Sequence, residues 1–399
     1  MDLKNNGRLW SLDALRGADM CLIMGVPAIL SALCVLVGAR PDDVWICRQM
    51  KHVIWDGFRI MDCVFPVFMF ISGVSFPFSC AKSRERGLGN GALTLKILKR
   101  AALMFLVGVF YEGIVRIDLG WESFRYGSVL GRIGIAWAAA ALLYVFCSVR
   151  TRCATAAALL VGYWLLLRFV PAPDALTAPV VDTQEYRDII AQFGYGPFSL
   201  PGNLSGYLDR TLLPGRMRFP GVFDSQGTLS TLPSIVLPML GMFAGDWVRR
   251  ADLSGNRKVF GLLAAAAVSA CAGLLFSLVM PINKSLWSSS FILCAGAVGL
   301  AAFAAFYWIV DVRMYRSWTF FFRVIGMNSI TIFILQRFNT VKDGYTAFSP
   351  LRALDQYLFT GVANLLPPAW GSLLMAVSYM AVCWGVLYFL YRKNIFFKI

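Results

Sequence analysis

The only histidine of the chain, His52, lies among charged residues just before a long apolar stretch. Residues 51–70 read KHVIWDGFRIMDCVFPVFMF and include Asp56, Arg59 and Asp62. Histidine titrates near neutral pH and is the side chain best suited to move protons there. A nearby carboxylate, Asp62 or Asp56, would orient its ring and stabilise its charged form. The segment therefore predicts a general base at His52, with a structural role at a membrane interface as the alternative.

The composition of the chain is that of an integral membrane protein. Hydrophobic residues make up 58% of its 399 residues, and the mean hydropathy is +0.65. Stretches of about 20 residues with few charges recur, and each is long enough to cross a bilayer. The net charge is +15, but the basic residues lie between the apolar stretches. That pattern indicates membrane topology and argues against nucleic-acid binding.

Ten membrane-spanning helices are predicted from the apolar stretches. They cover about residues 17–38, 60–80, 97–115, 129–148, 153–171, 233–248, 259–280, 288–310, 320–337 and 370–391. The segments on the side of both termini contain 21 Lys and Arg, and the much longer loops on the other side contain 15. By the positive-inside rule, both termini are cytoplasmic. The N-terminal sequence lacks the features of a cleaved signal peptide, so the first span is expected to stay in the mature protein. The predicted fold class is an all-α, polytopic membrane helix bundle.

The ten cysteines do not point to a metal or a disulfide framework. Most of them lie in apolar stretches, and none belongs to a CxxC motif or a Cys/His cluster. The sequence therefore predicts that they are small packing residues and that the protein binds no metal.

Polar and aromatic residues recur at the predicted outer ends of the spans. Polar groups are expensive inside a bilayer and usually face an interior cavity. The residues assigned to substrate binding are Trp55, Asp56, Arg132, Asp224, Asn283, Trp287 and Asn328. A snorkelling anchor, helix–helix hydrogen bonding or an aromatic belt would each explain one of them. Together they predict a polar chamber that opens to the outside, with His52 and Asp62 as its catalytic pair.

The predicted external segment 172–232 is too long for a simple connection. Its polar and aromatic composition suits a sugar-binding lid, and it equally suits a solvated surface loop. The chain contains no internal repeat, so residues 1–399 are predicted to form one transmembrane domain with an external insertion at 172–232.

The motif around His52 is similar to that of a known enzyme family. Residues 52–66 follow the pattern H-x2-W-x-G-x4-D-x-V-F-P and continue into FMFISGVS. SLDALRG precedes this motif, and LGRIGIAW, FDSQGTLSTLPSIV, NKSLWSSSF and GMNSITIF follow it. SLDALRG also occurs in other membrane acyltransferases, but the set of blocks resembles the heparan-alpha-glucosaminide N-acetyltransferase family over nearly the whole chain. Its bacterial members are described as N-acetylglucosamine-related membrane proteins.

The resemblance implies a reaction across the membrane. Acetyl-CoA binds from the cytosol as a cosubstrate, and its acetyl group passes to the amino group of a terminal glucosamine on the other side. His52 matches the catalytic histidine of the family. The resemblance also implies a homodimer surrounded by membrane lipid. The extra luminal region of the animal members is absent, which implies a bacterial protein in the inner (cytoplasmic) membrane.

Residues near the predicted cytoplasmic side are candidates for binding CoA. Basic side chains suit its phosphates, and small residues in FISGVSF would let its pantetheine arm pass. The residues assigned to this role are Gly73, Ser75, Arg84, Lys99, Arg100 and Arg323. The alternatives are that the basic residues serve only as a topology signal and that the small residues only pack helices. Pro27 stands where the family commonly has an asparagine, and Gln226 where an acidic residue is frequent, so the acceptor sugar is left open.

Several mechanisms and functions stay open at this stage. His52 would either remove a proton during direct transfer, which we favour, or carry the acetyl group itself. Asn283, Asn328, Arg132 or Trp287 would orient the sugar or polarise the thioester. An amino-sugar transporter is one rival, although the repeated halves common in transporters are missing. An O-acyltransferase of envelope glycans is another, but no histidine follows Arg16 in the first span. A fold that has lost catalysis is the third.

Overall fold

The structure, a computed structural model, describes residues 9–113, 124–339 and 360–397. These residues form helices joined by loops, with two isolated β-bridges and no β-strand among them. In chain order the helices are α1 (Trp10–Met24), α2 (Val26–Leu36), α3 (Trp45–Gln49), α4 (Ile60–Glu85), α5 (Asn90–Gly113), α6 (Val129–Phe146), α7 (Val149–Phe169), α8 (Gln184–Phe193), α9 (Leu204–Leu212), α10 (Thr231–Ser234), α11 (Val236–Arg249), α12 (Gly255–Ser277), α13 (Ser289–Tyr307), α14 (Thr319–Met327), α15 (Ser329–Asn339), α16 (Thr360–Ala363) and α17 (Pro368–Arg392). A π-helical turn, Trp308–Val312, extends α13. The predicted all-α class is confirmed.

Seven helical segments in the described ranges are long and apolar enough to cross a membrane, and the bent pair α1–α2 makes an eighth. The prediction of a helical membrane protein is thereby confirmed. The predicted span 97–115 corresponds to α5, which fails this test because its middle carries Lys96, Lys99 and Arg100. The predicted span 320–337 is interrupted at Asn328, between α14 and α15. The count of ten and the cytoplasmic termini therefore stay predictions.

The first predicted span is not one straight helix. It consists of α1 and α2, which meet at an angle of 56°. Gly25 at the junction has φ 142°, a conformation that L-residues with a side chain rarely adopt. Pro27 follows in the first turn of α2, where its missing N–H costs no helical hydrogen bond. Pro27, which the resemblance led us to expect as a departure from the family pattern, therefore lies directly beside this bend.

Glycines allow the close crossing of α4 and α11. A Cβ atom added to Gly73 would lie 2.1 Å from the carbonyl oxygen of Pro238. One added to Gly241 would lie 2.1 Å from the carbonyl oxygen of Phe70. Both distances are far below van der Waals contact, so neither position has room for a side chain. Gly73 thus packs two helices together, which was the structural alternative to a role in CoA passage.

Replacing Gly241 by valine is expected to destabilise the bundle. The obstacle is the backbone of α4, which cannot move aside as a flexible side chain would. We expect a loss of about 2 kcal/mol or more in the free energy of unfolding, measured as a lower Tm in detergent. Gly162→Val is the matched control, because a Cβ on Gly162 meets no atom within 4 Å. Equal Tm values for the two variants would contradict the close crossing of α4 and α11.

The segment 172–232 packs against the loop that carries His52. Trp55 is 3% exposed and belongs to a hydrophobic cluster with Tyr186 and Ile189 of α8. Its indole N–H donates a hydrogen bond to the carbonyl oxygen of Phe198 at 2.9 Å. The segment 172–232 therefore carries two helices of its own, α8 and α9, and covers this loop instead of extending into solvent.

Candidate active site

A cavity of about 690 Å³ lies between four membrane helices, α8 and the loops around His52, Arg125, Gln226 and Lys284. Its walls on α1, α4, α6 and α15 are apolar and include Met20, Phe68, Ile133 and Phe333. Its polar lining comes mostly from the loops and from α8: His52, Arg125, Gln184, Glu185, Asp188, Arg218, Ser225, Gln226, Lys284 and Ser285. The cavity therefore joins a polar mouth to an apolar interior between the membrane helices.

His52 forms a pair with Asp62 at the mouth of this cavity. Its Nδ1 lies 2.8 Å from Oδ1 of Asp62. The carboxylate is fully buried in the first turn of α4, whereas the imidazole is 54% exposed. The backbone N–H groups of Arg59 and Val53 donate to Oδ2 of Asp62 at 3.2 and 3.4 Å. These donors and the helix N-terminus stabilise the carboxylate, which in turn holds the imidazole.

Lys284 approaches the same pair from the loop before α13. Its Nζ lies 3.0 Å from Nδ1 and 3.4 Å from Nε2 of His52, and 3.4 Å from Oδ1 of Asp62. Nδ1 cannot both donate to the carboxylate and accept from an ammonium group. We assign its proton to the shorter contact with Asp62, which leaves the lone pair on Nε2 as the basic site. Burial lowers the pKa of Lys284, and the charge of Asp62 opposes that shift.

The turn that presents Lys284 is held by Asn283. Oδ1 of Asn283 accepts a hydrogen bond from the backbone N–H of Leu286 at 2.8 Å. The backbone N–H of Asn283 donates to Oγ of Ser288 at 2.9 Å. Trp287 in this turn has φ 53°, an unusual value for a residue other than glycine. Trp287 is 1% exposed and lines the cavity. The strained turn therefore places a cation and an indole on the same wall.

Arg125, which lines the cavity, forms an ion pair with Asp224. The guanidinium of Arg125 makes two parallel hydrogen bonds to the carboxylate at 2.7 and 2.8 Å. It also donates to the side chain of Gln226. Burial opposes its charge, but the hydrogen bonds of Asp224 and the charges of Asp224 and Glu112 raise the pKa of Arg125 above its ordinary value. Arg125 and Gln226 line the cavity. Asp224 is buried and accepts hydrogen bonds from the guanidinium of Arg125 and the backbone N–H of Gln226.

Arg132 supports the wall of the cavity without lining it. Its guanidinium lies 5.0 Å from the centre of the Trp287 ring and is almost fully buried. Nη2 donates to the carbonyl oxygen of Gly227 at 3.1 Å and to Oγ of Ser230 at 2.5 Å. Arg132 therefore ties Trp287 to the segment that leads into α10.

Asp209 of α9 is a buried carboxylate close to this segment. Its Oδ1 accepts hydrogen bonds from the backbone N–H and the hydroxyl of Thr228 at 2.7 and 2.9 Å. Burial raises the pKa of Asp209 to about 6, and the two hydrogen bonds oppose the shift. Ionising this group therefore costs stability in the folded protein.

The pH dependence of stability should report on Asp209. Because its pKa is higher in the folded than in the unfolded chain, its contribution is complete below pH 4 and is lost as the pH rises through 6. We expect a loss of about 2–3 kcal/mol between pH 4 and pH 7. Tm values measured over this range should fall less in Asp209→Asn than in the wild type. Asp182→Asn, at a carboxylate that is 95% exposed, should follow the wild type. Parallel curves for all three proteins would contradict the assignment.

The structure brings some of the predicted substrate-binding residues to the cavity and leaves others away from it. Trp287 lines it, and Arg132, Asp224 and Asn283 hold residues that line it. Trp55 packs against the segment 172–232, and Asp56 is exposed and does not line the cavity. Asn328 hydrogen-bonds the C-terminal segment instead, through the carbonyl oxygen of Ile395 at 3.2 Å and the N–H of Phe397 at 3.3 Å.

None of the six residues predicted to bind CoA lines this cavity. The hydroxyl of Ser75 donates to the carbonyl oxygens of Ser72 and Ile71 within its own helix, at 2.9 and 3.3 Å. Arg84 donates to the side chain of Asn90. Ser75 and Arg84 therefore form hydrogen bonds with residues nearby in the sequence, and Gly73 packs against α11.

Arg100 and Arg323 both stack on tryptophans, and Lys99 is exposed. The guanidinium of Arg100 lies 4.2 Å from the centre of the Trp137 ring, and that of Arg323 lies 3.7 Å from Trp10. The Nε atoms of both arginines are buried without a hydrogen-bond partner among the described residues. Cation–π contacts therefore stabilise these two guanidinium groups, and their Nε–H donors stay available for another hydrogen-bond acceptor.

From the sequence, Lys284 was noted among the polar residues at the outer ends of the spans but received no role, and Arg125 and the acidic residues of α8 were not selected for the site. A signal for Lys284 existed, because it is the only basic residue in the predicted external loop 281–287. Arg125 lies close to Arg132 in the sequence but had no motif of its own. Glu185 and Asp188 occupy an insertion whose packing the sequence does not reveal.

The fold and the site together define a class of protein. The chain is a helical integral membrane protein in which a histidine–carboxylate pair stands at the mouth of a cavity that extends between the spans. Such a pair serves acid–base or nucleophilic catalysis.

Comparison with known proteins finds two that are similar to nearly the whole of this chain. The chain is 27% identical over 436 residues to the heparan-alpha-glucosaminide N-acetyltransferase of Homo sapiens, and 27% identical over 437 residues to that of Mus musculus. Both matches cover 98% of this chain, which spans about 60% of the length of these relatives. No family model matches the chain. The two matches support a family relationship with the heparan-alpha-glucosaminide N-acetyltransferases, as the motifs predicted.

Proposed function

We propose that this protein is a transmembrane acetyltransferase. It moves the acetyl group of cytosolic acetyl-CoA to the amino group of glucosamine, or of a glycan that ends in glucosamine, on the external side of a bacterial cytoplasmic membrane. The observation that carries the proposal is the His52–Asp62 pair at the polar mouth of a cavity with apolar walls. The names of the two relatives support the reaction type. A homodimer stays an expectation from the resemblance.

His52 acts as the general base in direct transfer. The sugar amine attacks the carbonyl carbon of the thioester, and Nε2 of His52 takes the proton that the amine must lose. The C–N bond forms as the C–S bond breaks, and CoA leaves as a thiolate that is then protonated. Asp62 holds the Nδ1 proton and stabilises the imidazolium that forms.

The two substrates use different parts of the cavity. The apolar walls suit the acetyl group and the thin pantetheine arm, and they exclude water from the thioester. The polar mouth offers carboxylates, amides and Arg125 for the sugar hydroxyl groups. We assign the phosphates of CoA to the cytoplasmic side, where the unused donors of Arg100 and Arg323 suit an anion.

Lys284 stabilises the negative charge that develops on the carbonyl oxygen. Its ammonium group lies 3.4 Å from Nε2, beside the position where the amine must attack. Because a donor to a developing oxyanion typically contributes 10²- to 10³-fold, we expect Lys284→Met to lower kcat by about that factor, with a smaller change in KM. Lys284→Arg should recover part of the rate. Lys51→Met, at an exposed cation in the same region, should keep full activity. Full activity in Lys284→Met would exclude this role.

Membrane vesicles of known orientation test the proposed function. Right-side-out vesicles loaded with radiolabelled acetyl-CoA are given glucosamine on the outside. We expect labelled N-acetylglucosamine outside, and none from inside-out vesicles that receive both compounds on their outer, cytoplasmic surface. Uptake of labelled glucosamine without acetyl-CoA would support the amino-sugar transporter instead. Acetylation of sugar hydroxyl groups would support the O-acyltransferase.

A further inference from the structure

Two cysteines face each other near the outer end of the first span. Sγ of Cys34 and Sγ of Cys47 lie 2.8 Å apart. Cys34 belongs to α2 and Cys47 to α3, and they are 9% and 4% exposed. The separation of 13 positions matches no cysteine motif, so the sequence offered no signal for this contact.

The pair lies in the segment that leads to His52. Cys47 lies within α3 and precedes His52 by five residues. The side chain of Gln49 in α3 accepts a hydrogen bond from the N–H of Ile60 at 3.2 Å, so this short helix also contacts the start of α4. A link between Cys34 and Cys47 would therefore fasten the His52 loop to the end of α2.

We infer that Cys34 and Cys47 form a disulfide in the mature protein. The two sulfurs need to approach by less than about 1 Å to reach the S–S bond length of about 2.05 Å. Under the proposed topology the pair faces the external compartment, where disulfides form and persist. The inference rests on that orientation but not on the proposed activity.

The oxidation is a thiol–disulfide exchange with an external oxidant. One cysteine thiolate attacks the disulfide of a thiol–disulfide oxidoreductase and forms a mixed disulfide, and the second thiolate then displaces the oxidoreductase sulfur. The Sγ–Sγ bond forms, and the two electrons and two protons that the thiols lose reduce the oxidant's disulfide to a dithiol, with water carrying the protons. The hydrogen bond with Cys34 raises the pKa of Cys47 to about 11, and both sulfurs are buried. Oxidation therefore precedes the docking of α3 during folding.

Peptide mapping tests the link directly. Cells are quenched with acid, and free thiols are alkylated in denaturant before the protein is purified. Cleavage on the amino side of aspartate separates residues 19–41 from residues 43–55. We expect these two peptides to stay joined until a reductant is added, and eight of the ten cysteines to be alkylated before reduction. Hydrogen exchange in residues 37–55 should then increase on reduction.

Matched variants identify the partner of Cys47. Residues 19–41 also contain Cys21, which is buried in α1. Cys34→Ser should separate the two peptides without reductant, whereas Cys21→Ser should leave them joined. Alkylation of all ten cysteines in the wild type without reduction would overturn the inference, and so would peptides that stay joined in Cys34→Ser. None of these measurements depends on acetyl transfer. A negative result for the disulfide is therefore distinct from a negative result for the proposed function.

Discussion

His52→Gln is expected to lower kcat for acetyl transfer by about 10²- to 10⁴-fold, the usual contribution of a general base. Glutamine keeps a polar side chain of similar reach but cannot accept the proton of the sugar amine. The imidazole is 54% exposed, so its replacement leaves no buried void and the Tm should stay close to that of the wild type. The measurement is the initial rate with labelled acetyl-CoA and glucosamine in proteoliposomes.

A control and a second measurement make this result specific. Arg48→Gln changes an exposed residue of the neighbouring α3 and should keep the wild-type rate. Without an acceptor sugar, direct transfer leaves no acetyl label on the protein. Stable label on His52 would favour the acetyl-histidine intermediate, and an unchanged rate in His52→Gln would exclude the histidine from the chemistry.

Asp62→Asn is expected to affect both catalysis and stability. The carboxylate accepts the Nδ1 proton of His52 and two backbone N–H groups, and its charge faces Lys284. An amide can present its N–H₂ group to Nδ1 and so favour the wrong tautomer, which places the proton on Nε2. We expect kcat to fall by about 10²-fold or more. The unpaired ammonium of Lys284 should lower the free energy of unfolding by about 1–3 kcal/mol.

A double variant separates the two effects of Asp62→Asn. Removing the cation as well, in Asp62→Asn/Lys284→Met, should recover much of the lost Tm without restoring activity, because the unpaired charge is gone but His52 is still misoriented. Asp43→Asn makes the same change at an exposed carboxylate between α2 and α3 and should leave both rate and Tm unchanged. Wild-type kcat in Asp62→Asn would show that this carboxylate does not orient the base.

Much of the fold could be predicted because the bilayer imposes its demands locally. A stretch of apolar residues must become a helix to satisfy its own backbone hydrogen bonds, whatever surrounds it. For α4, α6, α7 and α12, most of the helix ends were therefore predicted to within a few residues. The interruption at Asn328 was missed because hydropathy does not record a break in a helix whose two halves are both apolar.

The sequence by itself determined the membrane class and showed two carboxylates close to His52, Asp56 and Asp62, the second only 10 positions away; the structure pairs His52 with Asp62. Tertiary structure alone decided that Lys284, 232 positions from His52, joins this pair, and that Arg125 meets Asp224 across 99 positions. It also decided that the predicted CoA-binding residues lie away from the cavity. The physical reason is that hydropathy and helix formation depend on neighbours along the chain, whereas the partner of a buried charge depends on how distant helices pack.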